Sequence, residues 1–270
     1  IRLKWKEDKK ALTLIRAGYE TGFEGDAYKT VKFQNTNLSV RLDDPFFEQL
    51  EKGGKIKLRY VKSGEVAGEI SAEEMLKEIA FGSWRIGDPA VQYESKIQEM
   101  HTCKNSGIIN SSNPCSEYMH LDDTSCNLNS LNLLKFADQE GNFNVEAFIP
   151  AVRVMTIAAD IANDAASYPN NPIAKASPEF RTIGVGYANL GALLMRKGIP
   201  YDSNEGRAVA AAIAAVMHGE VYRTSAELAK GLGPFVHFEL NREPMREVMR
   251  KHRAAVEDIG KWKDVYGDMH

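Results

Sequence analysis

Apolar positions recur at helical spacing from the start of the chain. In "KWKEDKKALTLIRAG", Trp5, Leu12 and Ile15 share one face and Gly18 is a natural stop, which predicts a helix over 4–18. The period then shortens. "YKTVKFQNTNLSVRL" alternates and is rich in Val, Thr and Phe, so extended structure is predicted over 28–42. "DDPFFEQLEKGG" predicts a short capped helix ended by Gly53 and Gly54, and "KIKLRYV" a strand. "SAEEMLKEIAFGSWRIG" opens with a Ser-x-x-Glu capping box and continues as a helix. "DPAVQYES" predicts one more short strand, and the stretch after it reads as extended, broken at Pro114.

From position 144 the pattern belongs to helices. "NVEAFIPAVRVMTIAADIANDAA" is apolar nearly all round, with Val152, Met155, Ile157 and Ile161, and is predicted to be buried. "EFRTIGVGYANLGALLMRKG" and the alanine-rich "SNEGRAVAAAIAAVMHGEVYRTSAELAKGLG" predict two further helices, and "NREPMREVMRKHRAAVEDIG" an exposed, charged one. Strands and helices alternate early and helices dominate late, which favours an α/β fold. Composition shows no break, so residues 1–270 are read as part of one domain.

Composition adds exclusions. Apolar residues are 43% and charged residues 26%, ordinary globular usage that can bury a sizeable core. A net charge of -3 gives no reason to expect a nucleic-acid or membrane-surface partner. No apolar run approaches the roughly 18 residues of a membrane span. "IRLKWKEDKK" lacks the apolar centre of a secretory signal and the chain has no initiator Met, so it is expected to start inside a longer protein. Three cysteines are too few for a disulfide scaffold of this size, which points to a reducing, cytosolic compartment.

The chemistry concentrates in "NSSNPCSEYMHLDDTSC", residues 110–126. If the stretch is extended, Asn113, Cys115 and Glu117 project from one face, with Pro114 and Ser116 on the other. A neighbouring carboxylate disfavours a thiolate, the reverse of what a nucleophilic cysteine needs. It suits a sulfur that gives and takes a hydrogen atom as a neutral thiol. Glu117 can then act as base toward a substrate hydroxyl, and the Asn113 amide can hold a second hydroxyl. Cys126 would supply reducing equivalents if it found another thiol. "DDT" at 122–124 signals a chain reversal between the two cysteines, whereas opposed pairing of Cys115 with Cys126 would centre it at His120 and Leu121.

"NPCSEYMHLDDTSCNLNSLNLLKF" closely resembles the active-site segment of the adenosylcobalamin-dependent (class II) ribonucleotide reductases. "YKTVKFQNTNLSVRL", "GDPAVQYE", "HTCKNSGIIN" and "RTIGVGYANLGALLMRKGIPYDSNEGRA" resemble successive pieces of the same catalytic barrel, so the likeness covers nearly the whole chain. It implies an incomplete ten-stranded α/β barrel and reduction of ribonucleotides, as ribonucleoside diphosphates, with adenosylcobalamin as cofactor and no protein-bound metal. Cys115 would be the thiyl radical that removes the 3′ hydrogen, Glu117 the acceptor of the 3′ hydroxyl proton, and Asn113 the group that binds the hydroxyls. Pro114 and Ser116 would line the substrate with them, and Cys126 would be one half of the redox pair. Implied partners are the ribonucleotide, an external dithiol of thioredoxin type, and a nucleotide effector in the full-length protein, all in the cytoplasm.

The same resemblance implies departures. The second redox cysteine lies upstream of the motif in the family and Cys103 is outside the matching segment, so that partner is expected outside this chain. The effector loop and the phosphate loop are expected outside it as well, and the fragment alone is expected to be inactive. His120 and Asn129 stand where the family would carry Phe and Ala. Two other readings stay open: a class I large-subunit segment, whose radical arrives from a partner, and a non-catalytic packing segment.

Plainer roles stand beside each residue. Cys115 and Cys126 can be core thiols, and Glu117 a solvated carboxylate. Cys103, two residues after His101, invites a metal reading but lacks a close Cys-x-x-Cys pair. "GVGYANLG" misses the dinucleotide fingerprint, so Gly184, Gly186 and Gly191 are read as sites of close helix packing. "QNTN" is read as turn hydrogen bonding, and "KHRAAVEDIGKWKD" as a mixed-charge helix face.

Overall fold

The computed structural model describes residues 1–22 and 24–259. Its contacts divide the chain into two units, Ile1–Met100 with Ser111–Met119, and His101–Asn110 with the residues from His120 onward.

The first unit opens with α1 (Arg2–Arg16), as predicted, and Gly18 follows it in the left-handed region. The stretch 28–42 departs from the extended reading. A single helical turn, α2 (Asp26–Lys29), and bends occupy most of it, and only β1 (Ser39–Leu42) pairs as a strand. Alternation without a partner strand does not hold a chain extended, because the backbone groups need a ladder. α3 (Asp44–Glu51) begins where Asp43 accepts from the Phe46 N–H at 3.0 Å, a cap that contributes about 1 kcal/mol. β2 (Lys55–Arg59) and β3 (Val66–Ser71) form an antiparallel hairpin, and the sequence reading missed β3. Ser71 then caps α4 (Ala72–Ile86) by accepting from the Glu74 N–H, and Gly87 ends it at φ +70.

β4 (Ala90–Tyr93) is the predicted short strand, followed by α5 (Glu94–Glu99). β4 pairs with β1 in parallel, with Arg41 opposite Gln92. A parallel pair requires a crossover, which the elements from α3 to α4 supply. Leu42, Phe46, Ala72 and Ile79 form the core beneath it, with Val40 and Val91 packed alongside.

In the second unit β5 (Asn127–Asn132) pairs in parallel with β6 (Ile183–Ala188), again through helices. A 3₁₀ turn, Leu133–Phe136, leads into α6 (Val145–Ala165). α6 is not buried all round: Phe148, Val152, Thr156, Ala159 and Asn163 are buried, whereas Val154 and Ile161 are 63% and 61% exposed. α7 (Asn171–Phe180) was missed by the sequence reading. The stretch 179–198, read as one helix, splits into β6 and α8 (Leu190–Lys197). α9 (Asn204–Leu232) starts at a Ser203 cap, and α10 (Phe238–Ile259) is the charged helix, with only Asn241 and Val248 buried. Positions 260–264, the end of the charged stretch, lie outside the described residues. Leu133, Phe148, Val152, Leu193, Ile213 and Met217 make this unit's core.

Gly184 and Gly186 therefore serve a strand, not helix packing. A Cβ on Gly184 would lie 2.4 Å from Leu128 Cδ2 and 3.1 Å from Cys126 Sγ, so the glycine leaves room for that thiol. The content is mixed α/β, with the described strands paired in twos and no closed barrel among them. Among the described residues no helix is long and apolar enough to cross a membrane.

Candidate active site

The parallel pairing of β1 and β4 sets the scaffold. Val40, Leu42 and Val91 face the core, so the alternating residues Ser39, Arg41 and Gln92 share the opposite face. Gln92 is only 5% exposed, and a buried amide must find partners. Its Oε1 accepts from Arg41 Nε at 3.1 Å. Its Nε2 donates to Ser112 Oγ at 2.7 Å and to Ser116 Oγ at 3.0 Å. Arg41 Nη1 also pairs with Glu94 at 3.1 Å, and Ser39 Oγ lies 3.5 Å from Ser116 Oγ.

Between the two serines the chain turns. The Ser116 N–H donates to the Asn113 carbonyl at 3.1 Å, with Pro114 and Cys115 at the corner. Proline's fixed φ suits the second position of such a turn. Ser112 Oγ donates to the same carbonyl at 2.8 Å. The Tyr118 N–H donates to Asn113 Oδ1 at 2.9 Å, closing the loop from its other side. Ser116 sits at φ +67, a left-handed conformation that costs an L residue about 1 kcal/mol or more.

This corrects the extended reading of 110–118. The alternation that would place Asn113, Cys115 and Glu117 on one face does not apply in a turn, because Asn-Pro, one backbone bond and two side-chain bonds to the backbone bend the chain. The turn gathers Asn113, Pro114, Cys115, Ser116 and Glu117 in one short loop of the first unit. Cys115 and Glu117 are exposed and make no hydrogen bond or ion pair among the described residues, and Cys115 is in no disulfide. Asn113 is half-buried, with its oxygen used by the backbone and its amide N–H groups left to donate. The loop thus offers an accessible thiol, a carboxylate and an amide donor side by side.

Cys126 belongs to the second unit, half-buried at the entry to β5. The turn expected from "DDT" is present at Asp122 and Asp123, with Asp123 at φ +60. Neither Cys115 nor Cys126 lies in a strand, so the opposed pairing considered from sequence is not formed. Cys103 is 3% exposed, its thiol pushed up in pKa by burial. Its backbone N–H donates to His101 Nδ1 at 3.2 Å, and among the described residues no group of His, Cys, Asp and Glu could hold a metal. Gln92, Arg41, Ser39 and Ser112 escaped the sequence reading. The one local signal was an amide set between Val91 and Tyr93 in a short strand.

His120, where the resemblance would put Phe, packs edge-on against Phe180 and against His101. Burial, and then the charge of His101, lowers its pKa to about 4 from 6.5. Below pH 6.5 the unfolded chain takes up a proton that the folded chain refuses. Stability should therefore fall as pH drops from about 6.5 toward about 4, by up to about 3 kcal/mol from this ring. Urea unfolding of the parent and of His120→Phe across that range isolates the effect. An acid loss of equal size in both chains would refute it.

The family described as "Ribonucleotide reductase, barrel domain" matches residues 2–269. The chain is 49% identical, over 96% of its length and 25% of the relative's, to the "Vitamin B12-dependent ribonucleotide reductase" of Rhodopirellula baltica. It is 45% identical to the protein of the same name from Streptomyces avermitilis, over 94% of this chain and 27% of that one. The "Vitamin B12-dependent ribonucleoside-diphosphate reductase" of Thermoplasma acidophilum is 29% identical over 74% of this chain and 26% of its own. The chain thus spans about a quarter of the length of these curated relatives. A match over nearly every residue, on a mixed α/β chain that presents an exposed thiol beside a carboxylate and an amide, carries one conclusion: the chain belongs to the ribonucleotide reductase barrel domain family.

Proposed function

We propose that the protein carrying this segment reduces ribonucleotides to 2′-deoxyribonucleotides by thiyl-radical chemistry that depends on adenosylcobalamin. The observation that carries this reading is the exposed thiol of Cys115, outside any disulfide, on an anchored turn between Asn113 and Glu117. Such a thiol fits the reacting end of the cofactor, because exchange of a hydrogen atom with a carbon radical needs a reachable S–H. Cys115 is the residue that would meet it. When bound, the cofactor supplies a carbon-centred radical by homolysis of its cobalt–carbon bond.

The chain's own residues do the rest. Asn113 donates its amide hydrogens to the ribose hydroxyls and orients the ring, with Pro114 and Ser116 forming the floor of the turn. The Cys115 sulfur radical takes the 3′ hydrogen, forming an S–H bond and leaving a substrate radical. Glu117 takes the 3′ hydroxyl proton, the 2′ hydroxyl leaves as water with a proton from the redox thiols, and Glu117 later returns its proton to the 3′ oxygen. Cys126 and a second thiol outside this chain together give two electrons and two protons and become a disulfide. Cys115 then returns its hydrogen to the 3′ carbon. An external dithiol of thioredoxin type resets the pair, and a nucleotide effector acts on the full-length protein.

The same reading places residues 1–270 within one catalytic domain, as part of a ten-stranded α/β barrel in a cytoplasmic enzyme of ribonucleoside diphosphates. Two parallel strand pairs with helical crossovers support it. The test uses the full-length protein. Deoxynucleotide formation should require adenosylcobalamin and a dithiol, and proceed without a second radical-generating subunit. Turnover that appears only on adding a di-metal partner protein would move the chain to class I.

A further inference from the structure

We propose that Gln92 is the positioning residue of the Cys115 turn, an inference that rests on the role of Cys115 proposed above. Cys115 and Glu117 make no bonds of their own among the described residues, so their placement comes from the backbone that carries them. Ser112 and Ser116 flank that backbone, and one side chain bonds both of them. The amide of Gln92 is oriented in its turn. Arg41 Nε donates to Oε1, so both amide hydrogens must face the loop. Arg41 is itself held by Glu94.

The bond to Ser116 matters most, because Ser116 holds the strained left-handed conformation that swings the chain from Cys115 to Glu117. With the anchor gone, relief of that strain would favour other turn geometries. Hydrogen-atom transfer demands near contact between sulfur and carbon, and a misplacement of about 1 Å costs on the order of 10²-fold in rate. Gln92 touches no reacting atom in this scheme and acts through the turn alone.

The test compares Gln92→Glu and Gln92→Ala in the full-length protein. Gln92→Glu keeps size and the Arg41 contact but replaces the two N–H donors by an oxygen. Ser116 can rotate to donate to it, whereas the Ser112 hydroxyl is committed to the Asn113 carbonyl. Hydrogen–deuterium exchange over 111–119 should quicken at least about fivefold in Gln92→Ala, which loses both anchors, and by less in Gln92→Glu, which loses only the Ser112 bond, with the amides of α4 unchanged in each. The kcat should fall at least about tenfold in Gln92→Ala and by less in Gln92→Glu, with KM within about threefold. Unaltered exchange over 111–119 in both variants overturns the proposal, as does a loosened loop with parental kcat. If Gln92→Ala fails to fold, Gln92→Glu carries the test. Cys115→Ser is measured in parallel. Turnover surviving in that variant sinks the radical role of Cys115, while the exchange data still decide whether Gln92 holds the turn.

Discussion

Cys115→Ser in the full-length protein is expected to abolish deoxynucleotide formation, by at least about 10⁴-fold, equivalent to more than about 5 kcal/mol of barrier. The reason is bond strength. A serine O–H is too strong to exchange hydrogen with a ribose carbon, so no radical can reside there and none can be passed to substrate. The substitution is nearly isosteric at an exposed turn position, so the fold should be unaffected. Circular dichroism and exchange over 111–119 should match the parent, while single-turnover assays show neither deoxynucleotide nor free base. Residual reduction above a hundredth of the parent rate would remove Cys115 from the mechanism.

Cys126→Ser should fail later and differently. The radical site stays intact, so the 3′ hydrogen is still removed and water still leaves. The two electrons needed to complete the reduction are then missing. The substrate radical decomposes, and free base should accumulate in place of deoxynucleotide over repeated turnovers. Chromatography of base and deoxynucleotide from one reaction separates the two variants. Sustained deoxynucleotide yield from Cys126→Ser would make it the structural thiol that its packing beside Gly184 also allows.

Several helix starts and stops were legible because they are local, although α7 was missed despite its own Asn170 cap. Asp43, Ser71 and Ser203 cap within three residues of themselves, and Gly87 needs only a positive φ. β3 and β6 were not. "VAGEIS" is glycine-interrupted and needs β2 to define it, and the apolar run "IGVGYA" reads equally well as a turn of buried helix. The site divides in the same way. Asn113, Cys115 and Glu117 stand out by residue type and spacing, and Asn-Pro marks a turn that alternation overrode in the reading. Gln92 could not be found so, because its meaning comes from lying opposite Arg41 across a parallel pair. A wrong register by one residue would turn it into the core.

That pairing also orders events as the chain folds. Arg41 and Gln92 stand 51 residues apart, and their strands meet only after the intervening hairpin and helices have closed the crossover. Closing such a loop carries an entropic cost that local helices do not face. The turn at 113–116 can form its internal bonds early, but it gains its seat only when that sheet is complete. During synthesis the Cys115 turn therefore has no fixed seat until that sheet exists.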